Sequence, residues 1–410
     1  MTAQTTSLRQ GQTPYRICSR CVMDNSADPN IHFDEDGVCN YCRTYDKVIA
    51  QYVRKGDDGR RELEQIVETI RREGQGKPYD CVIGLSGGVD STYVAYLVKE
   101  MGLRPIAVHL DNGWNTEIAV ANIERCVTAL GIDLITEVLD WDEFRDLQLA
   151  FLRSGTPDLE IPTDHAINAT LYRTCLKYGV RFIINGSNFA TEQMVPPTWS
   201  HGHSDWKYIR SIHKQFGTRP LRTYPHYTHF DLYYRFPKIK KLQSVLLLNY
   251  VEYDKFAAIE LMKEKLGWVS YGGKHHESIY TRFYQGYILP TKFGADKRRP
   301  HLSCLINDGR INRDQALAEL QQPALTEDIV ATDRVFVTKK LMISEQEFDA
   351  LMKAPPKSFW DYPSYEKEPP RYLDVIRRSQ QIKFAVQNTT RRIVTLPLYI
   401  ARGVLRRLLR

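Results

Sequence analysis

The sequence lacks any apolar run approaching the roughly 20 residues that a membrane-spanning helix needs, so a helical membrane protein is not expected. The stretch Met1 to Gly11 is polar and has no apolar signal core, so secretion is not expected either, and the cytoplasm is the expected compartment. There is no internal repeat, which argues against a solenoid. Acids are nearly missing from the last forty residues: ten Lys/Arg stand against the single acid Asp374, a charge of +9 out of a total of +7. The remaining 370 residues therefore sum to −2, and the basic balance belongs to a tail rather than to the body. A near-neutral body gives no electrostatic footprint for nucleic acid, and none is expected as a partner. Extremes of composition are missing too. With 42% apolar and 26% charged residues the chain reads as globular, and 410 residues suggest two or three domains.

What is present begins with strand–helix alternation. Tyr79–Leu85, Pro105–Leu110, Leu134–Leu139 and Arg181–Asn185 read as strands, and Arg60–Glu73, Ser91–Met101, Glu117–Leu130 and Thr163–Tyr178 as helices. This order predicts an α/β fold with a doubly wound parallel sheet, whose ligands bind at the carboxyl ends of the strands. Lys238–Glu264 is expected to be helical, residues 268–312 resist assignment, and short helices are expected at Arg313–Leu320 and Ser344–Lys353. The expected organisation is an N-terminal arm and cysteine module (1–55), an ATP-binding α/β domain (56–235), a mostly helical region facing substrate or partner (236–370), and a tail (371–410).

Ser86-Gly87-Gly88-Val89-Asp90-Ser91 joins the first strand to the first helix of the sheet. Glycines let the backbone approach a ligand closely, and the helix start supplies unpaired N–H donors to phosphate. Ser86 and Ser91 add hydroxyls, and Asp90 is suited to Mg²⁺. The Walker lysine is missing, so this is not a kinase-type loop. Two further strand ends complete the expected ATP site: His109, Asp111 and Asn112, and Gly186, Ser187 and Asn188. Ser86, Asp90 and Ser91 are the expected catalytic residues.

Cys18, Cys21, Cys39 and Cys42 form two C-x₂-C pairs separated by seventeen residues. In a reducing compartment this spacing predicts a tetrahedral structural Zn²⁺ site, a zinc ribbon, with an iron–sulfur cluster using the same ligands. The other cysteines, Cys81, Cys126, Cys175 and Cys304, read as packing residues. Lys274, His275, Lys297, Arg298 and Arg299 lie in Gly-rich basic stretches and could meet substrate or phosphate.

The hexapeptide resembles the pyrophosphatase-loop signature of the ATP pyrophosphatase (PP-loop) superfamily, which includes asparagine, GMP and NAD synthetases and tRNA thiolation enzymes. In that superfamily the loop holds departing pyrophosphate while a substrate oxygen attacks the α-phosphorus. The cysteine pairs, SGGVDS, the stretch from Tyr271 to Gln285 (YGGKHHES…TRFYQ) and Lys292–Ile306 (KFGADKRRPHLSCLI) follow in an order that resembles the N-acetyl sugar amidotransferase family of bacterial surface-polysaccharide biosynthesis. The resemblance covers about residues 16–350. It implies that ATP adenylylates the acetamido oxygen of an N-acetylated nucleotide sugar and that ammonia then displaces AMP, leaving an acetamidino group. It also implies separate glutaminase-like and cyclase-like partner proteins that supply the ammonia. ATP, Mg²⁺ and structural Zn²⁺ are the expected cofactors. A PP-loop tRNA-modifying enzyme of the thiolation type is the alternative. The tail is longer than the resemblance predicts. There Arg402, Arg406 and Arg410 share one helical stripe and Ala401, Val404, Leu405 and Leu408 another, a pattern suited to an anionic membrane, a partner, or the enzyme's own body.

Overall fold

The computed structural model describes residues 14–26, 28–271 and 277–370. The tail 371–410, with its expected membrane or partner contact, and the basic residues Lys274 and His275 lie outside the described residues.

The chain runs α1 (Asn40–Tyr52), α2 (Gly56–Glu73), β1 (Cys81–Gly84), α3 (Val89–Glu100), β2 (Pro105–Asp111), α4 (Glu117–Leu130), β3 (Asp133–Val138), α5 (Trp141–Ser154), α6 (Ile161–Tyr178), β4 (Phe182–Asn185), α7 (Phe189–Glu192) and α8 (Trp206–Phe216). A π-helical segment, Asp231–Ile239, then leads to β5 (Gln243–Leu246) and α9 (Lys255–Leu266). After these come α10 (Ile279–Phe283), α11 (Leu289–Phe293), α12 (Arg298–Asn307), α13 (Arg313–Gln321), α14 (Glu327–Leu341) and α15 (Glu345–Lys353).

The five strands are all parallel, in the order β3-β2-β1-β4-β5. Side chains of a strand alternate between faces, and both faces here are apolar because helices cover both. Cys81, Ile83 and Ala107 pack with Leu63, Ile66 and Ile70 of α2, Val94 and Val98 of α3 and Met262 of α9. Val82, Ile106, Val108 and Ile183 pack on the opposite face with Leu171, Tyr172 and Cys175 of α6 and with Leu232 and Phe236. Helix α4 starts where the Thr116 side chain accepts the Ala119 N–H and stops at Gly131 in the left-handed region, so its limits follow from local chemistry.

Two expectations are corrected. Lys238–Glu264 is not one helix: Gln243–Leu246 is the fifth strand, and the α-helix is confined to Lys255–Leu266. A short apolar run such as Ser244–Leu248 fits a buried strand as well as a helix turn, and here pairing with β4 decides it. The sheet therefore continues past residue 235, where the α/β domain was expected to end. Helices α5, α8, α10, α14 and α15 form a third core in which Phe144, Leu147 and Phe151 of α5 and Ile209 and Ile212 of α8 meet Tyr280, Phe283, Val337, Leu341 and Phe348. Among the described residues no helix is long and apolar enough to cross a membrane.

Candidate active site

In this strand order the chain moves outward from β1 through β2 to β3, then returns to the other side of β1 as β4. The crevice at the carboxyl ends of β1 and β4 is the switch point where such sheets bind ligands. Residues 86–91 follow β1 and residues 186–188 follow β4, so both expected segments meet there. They touch: a Cβ on Gly186 would stand 3.0 Å from the Asp90 carbonyl oxygen. Gly87 has φ +78°, and a Cβ on it would stand 2.3 Å from the Ala119 carbonyl oxygen of α4. Gly88 is the residue before the first turn of α3, so the loop does feed a helix N-terminus.

Side chains pin this loop from outside. The Trp268 indole N–H donates to the Gly87 carbonyl at 3.0 Å, and the Tyr253 hydroxyl donates to Asp90 Oδ1. Within the loop Ser86 and Ser91 share a hydrogen bond of 3.1 Å, the Gly88 N–H donates to Ser86 Oγ at 3.3 Å, and the Ser91 hydroxyl donates to the Gly88 carbonyl at 3.1 Å. Asp90 and Glu277 both stand at the loop, the latter's Oε1 3.9 Å from the position of a Cβ on Gly88. Asp90 offers the donor type that Mg²⁺ takes.

The residues at the carboxyl end of β2 serve the loop indirectly. His109 Nδ1 bonds the Leu85 carbonyl at 3.0 Å and its Nε2 bonds the Asn115 amide at 3.2 Å. Burial lowers its pKa, so the ring is neutral and braces the base of the loop. Asp111 accepts the Gly113 N–H at 2.8 Å, and the Asn112 amide donates to Thr163 Oγ1 of α6 at 3.2 Å. After β4, the Ser187 N–H donates to Asn185 Oδ1 at 3.1 Å, and Asn188 caps α7 by accepting the Thr191 N–H at 2.9 Å.

The basic residues near 298 have other work. Arg298 bonds Asp296 and the carbonyls of Glu319 and Gln322. Arg299 bonds Asp24 and the Val22 carbonyl. Both guanidiniums therefore join elements of the fold together. Lys297 lies over the Tyr284 ring at 5.4 Å, and its charge acts on Asp158 and Glu160.

Those acids belong to a cluster that sequence reading missed. His203 sits between Asp158 at 2.8 Å and Asp164 at 2.7 Å. The two carboxylates overcome burial and raise its pKa to about 9. Glu160, at the start of α6, accepts the Thr281 hydroxyl at 2.8 Å. Burial first, then the neighbouring Asp164, pushes its carboxyl up to about 8. No motif spacing connects residues 158–164, 203 and 281; only the fold brings them together.

The four clustered cysteines are buried, and their sulfurs all lie within 4.8 Å of one another. Sγ–Sγ separations of 4.0 Å (Cys18–Cys42) and 3.8 Å (Cys21–Cys39) match a tetrahedron with Zn–S bonds of about 2.3 Å, whose edges are about 3.8 Å. N–H groups of Arg20, Cys21 and Cys39 point at Cys18 Sγ at 3.2–3.4 Å, as suits a thiolate. The residues present fit Zn²⁺.

Comparison with known proteins follows the same division. A family model described as tRNA methyl transferase HUP domain matches residues 79–140, which span β1 to β3 and the phosphate loop. A second, LPS biosynthesis protein WbpG-like, C-terminal domain, matches residues 277–377. Both matches are consistent with a PP-loop ATP pyrophosphatase fold. An uncharacterized protein of Methanocaldococcus jannaschii is 22% identical over 317 residues, 76% of this chain and 95% of that one. A glutamine-hydrolyzing GMP synthase of Pyrobaculum aerophilum is 32% identical over 110 residues, which cover 26% of this chain and only 21% of the synthase. An NH3-dependent NAD synthetase structure from Campylobacter jejuni aligns with a TM-score of 0.30 and 13% identity, over 73% of this chain and 99% of that one.

The WbpG-like segment starts at Glu277, beside the loop at residues 86–91. Its first residues form a strap over the sheet's carboxyl end. The Thr116 N–H donates to the Glu277 carbonyl at 2.9 Å, Ser278 bridges Asn115, and the Ile279 N–H donates to the Trp114 carbonyl at 3.0 Å. Farther along, Lys340 bonds the Gly113 carbonyl and lies 5.0–5.4 Å from the rings of Trp114, Trp141 and Phe336. The WbpG-like segment is thus built onto the ends of the strands that carry the site.

Proposed function

We propose that this chain is an ATP-dependent amidotransferase of the C–N ligase type. It adenylylates the acetamido oxygen of an N-acetylated nucleotide sugar and replaces that oxygen with ammonia to give an acetamidino group. The observation that carries this reading is a lysine-free Ser-Gly-Gly-Val-Asp-Ser turn at the switch point, capped by a WbpG-like segment. The chemistry is sensible, because an amide carbon is a poor electrophile and its oxygen a poor leaving group, and transfer of AMP improves both. The loop N–H groups would hold the departing pyrophosphate, and Asp90 would hold Mg²⁺. The ammonia would come from separate glutaminase-like and cyclase-like proteins, and the product would enter surface polysaccharide, such as O-antigen, capsule or flagellin glycan, in the cytoplasm.

The tRNA-modifying alternative has the HUP-domain match behind it. Thiolation needs an accessible thiolate, yet Cys81, Cys126, Cys175 and Cys304 are all buried. Burial pushes Cys126 up to about 12 and raises Cys81 and Cys175 as well, which keeps them protonated. The amidotransferase reading is therefore preferred.

The test is a mass-spectrometric assay with ATP, an ammonium salt and N-acetylated nucleotide sugars. The expected products are AMP, pyrophosphate and a sugar about one mass unit lighter, since oxygen becomes NH. Formation of ADP and phosphate would refute the mechanism. Asp90→Ala should lower AMP formation by about a hundredfold or more, the scale of losing one electrostatic contact to the transition state.

A further inference from the structure

The π-helical segment between α8 and β5 leaves an apolar stripe in water. Its Leu232 and Phe236 are buried beneath, in the core shared with Tyr172 of α6 and Ile183 of β4. Hydrogen bonds from i to i+5 widen the turn beyond that of an α-helix, so residues about four to five positions apart share a side. Phe230, Tyr234 and Ile239 have that spacing and are between 42% and 55% exposed. The rings of Phe230 and Tyr234 lie 5.2 Å apart, so they form a continuous surface and not a scatter of single side chains. A contiguous apolar surface with a polar rim marks a place of contact.

The rim is basic. Lys238, Lys240 and Lys241 are exposed, and none of them pairs with an acid among the described residues. The neighbouring acids are engaged elsewhere: Asp231 with Arg235, Glu366 with His201, and Glu368 with Lys207. Strand β5 starts at Gln243 and runs parallel to β4, so the lysines stand at the amino ends of the strands, at the opposite end of the sheet from the loop at residues 86–91. The end of the described chain lies beside the stripe as well. Tyr365 meets the His229 ring at 4.4 Å, its N–H donates to Asp205 Oδ2 at 2.6 Å, and Lys207 lies 5.8 Å from its ring. The described chain thus ends a few residues beyond a point next to Phe230, and the sequence that follows, residues 371–410, carries a charge of +9.

These charges decide what covers the stripe. The basic tail folded back on it, or a second copy of the same face, would set like charges together. An anionic surface suits both the lysines and the tail. A nucleic acid would meet the cations, but base stacking needs open ring faces. Ile239 has none, and neither do Ala401, Val404, Leu405 and Leu408 of the tail's apolar stripe. Rings and aliphatic side chains flanked by lysines suit the boundary between headgroups and acyl chains, where apolar groups insert and ammonium groups stay at the phosphates. We propose that Phe230, Tyr234 and Ile239, with Lys238, Lys240 and Lys241, form a docking face for an anionic lipid bilayer, and that the basic tail binds the same surface. Two weak attachments on one chain reinforce each other, since the first holds the second close to the lipid. With the lysines at the amino ends of the strands, docking leaves the crevice at the carboxyl ends of β1 and β4 facing away from the bilayer. Lipid docking does not depend on the reaction proposed above.

The experiment is co-sedimentation of the full chain with vesicles of phosphatidylglycerol and phosphatidylcholine in equal parts, and with vesicles of phosphatidylcholine alone. Binding is expected to the first and not to the second, and it should weaken as salt is added. Lys238→Gln, Lys240→Gln and Lys241→Gln combined in one chain should weaken it by about a hundredfold, because each lysine near an anionic surface contributes roughly fivefold. Phe230→Ser with Ile239→Ser should weaken it by about tenfold or more. All these side chains are exposed, so the urea midpoints of both variants should stay close to that of the unmodified protein. Full binding by the triple glutamine variant would mean that the tail acts alone and would overturn the face, and so would unchanged binding by the serine variant. Equal binding to neutral vesicles would overturn the proposal. So would a lack of binding to the anionic vesicles, whether or not the chain instead holds single-stranded RNA or forms a dimer.

Discussion

Gly87 shows how one residue ties backbone chemistry to ligand chemistry. Its φ of +78° and the carbonyl of Ala119 leave no room for a side chain, and its own carbonyl is taken by Trp268. Gly87→Ala should therefore destabilise the protein by about 2 kcal/mol or more, from the left-handed backbone and the collision together. It should also suppress AMP formation. A urea midpoint equal to that of the unmodified protein would contradict the packing described. At this scale the place of the loop, between β1 and the start of α3, was legible in advance. Ser86 to Ser91 carry their chemistry in their identities and order. His109 was less legible: a histidine at a strand end suggests ligand contact, but burial and the Leu85 carbonyl make it a brace.

Among the elements, α7 is the one through which the cysteine module reaches the site. The Tyr45 hydroxyl of α1 donates to the Ala190 carbonyl of α7 at 3.1 Å, and α7 directly follows Gly186. Arg313 holds the carbonyls of Cys18 and Cys21, and Val22 is bonded to Ser303 of α12. Metal removal should thus loosen both α1 and α12 and lower AMP formation, though Zn²⁺ itself touches no substrate. Thiol titration gives the check: the native protein should show no reactive thiols, and chelation should expose the four of the cluster. Four thiols reactive before chelation would argue against a bound metal.

Helix α6 carries a separate signature in His165. It is fully buried, stacked on Tyr227 at 4.2 Å, and burial lowers its pKa to about 3. An unfolded histidine titrates near 6.5, so the unfolded state binds more protons between these values. Stability is present above about 6.5 and falls as pH drops from there toward 3. Urea midpoints should show this slope in the unmodified protein and a weaker one in His165→Gln. The limits of α6 were visible in the sequence to within two residues, whereas β5 was not, because a short apolar run carries no period that separates strand from helix.

Across the whole molecule, sequence order and spatial order part company. Helices α5 and α8 precede β5 in the chain yet pack in the core of the C-terminal helices. The glutamate and histidine of the acid cluster are 43 positions apart, and Thr281 lies farther still. The sequence therefore made the Ser86–Ser91 loop and the cysteine pairs readable, since each is local, and hid the acid cluster, which exists only after folding. The strap at 277–281 and Lys340 of α14 act on the same strand ends from one side. Lys340→Met should keep most of the packing against Trp114 and Trp141 but lose the bond to Gly113, costing about 1 kcal/mol. Its KM for ATP is expected to rise by a few-fold; an unchanged KM would mean that α14 does not steady the end of β2.

The late arrival of β5 also sets how this molecule can be divided. A fragment ending at residue 235 would contain the loop, its serines and Asp90, but β4 would become a border strand, the N–H and C=O groups of Phe182–Asn185 that face β5 left without a neighbour. Such borders recruit other chains. That half, made alone, should form aggregates instead of a nucleotide-binding monomer, and successful exchange of parts between relatives would have to cut beyond α9.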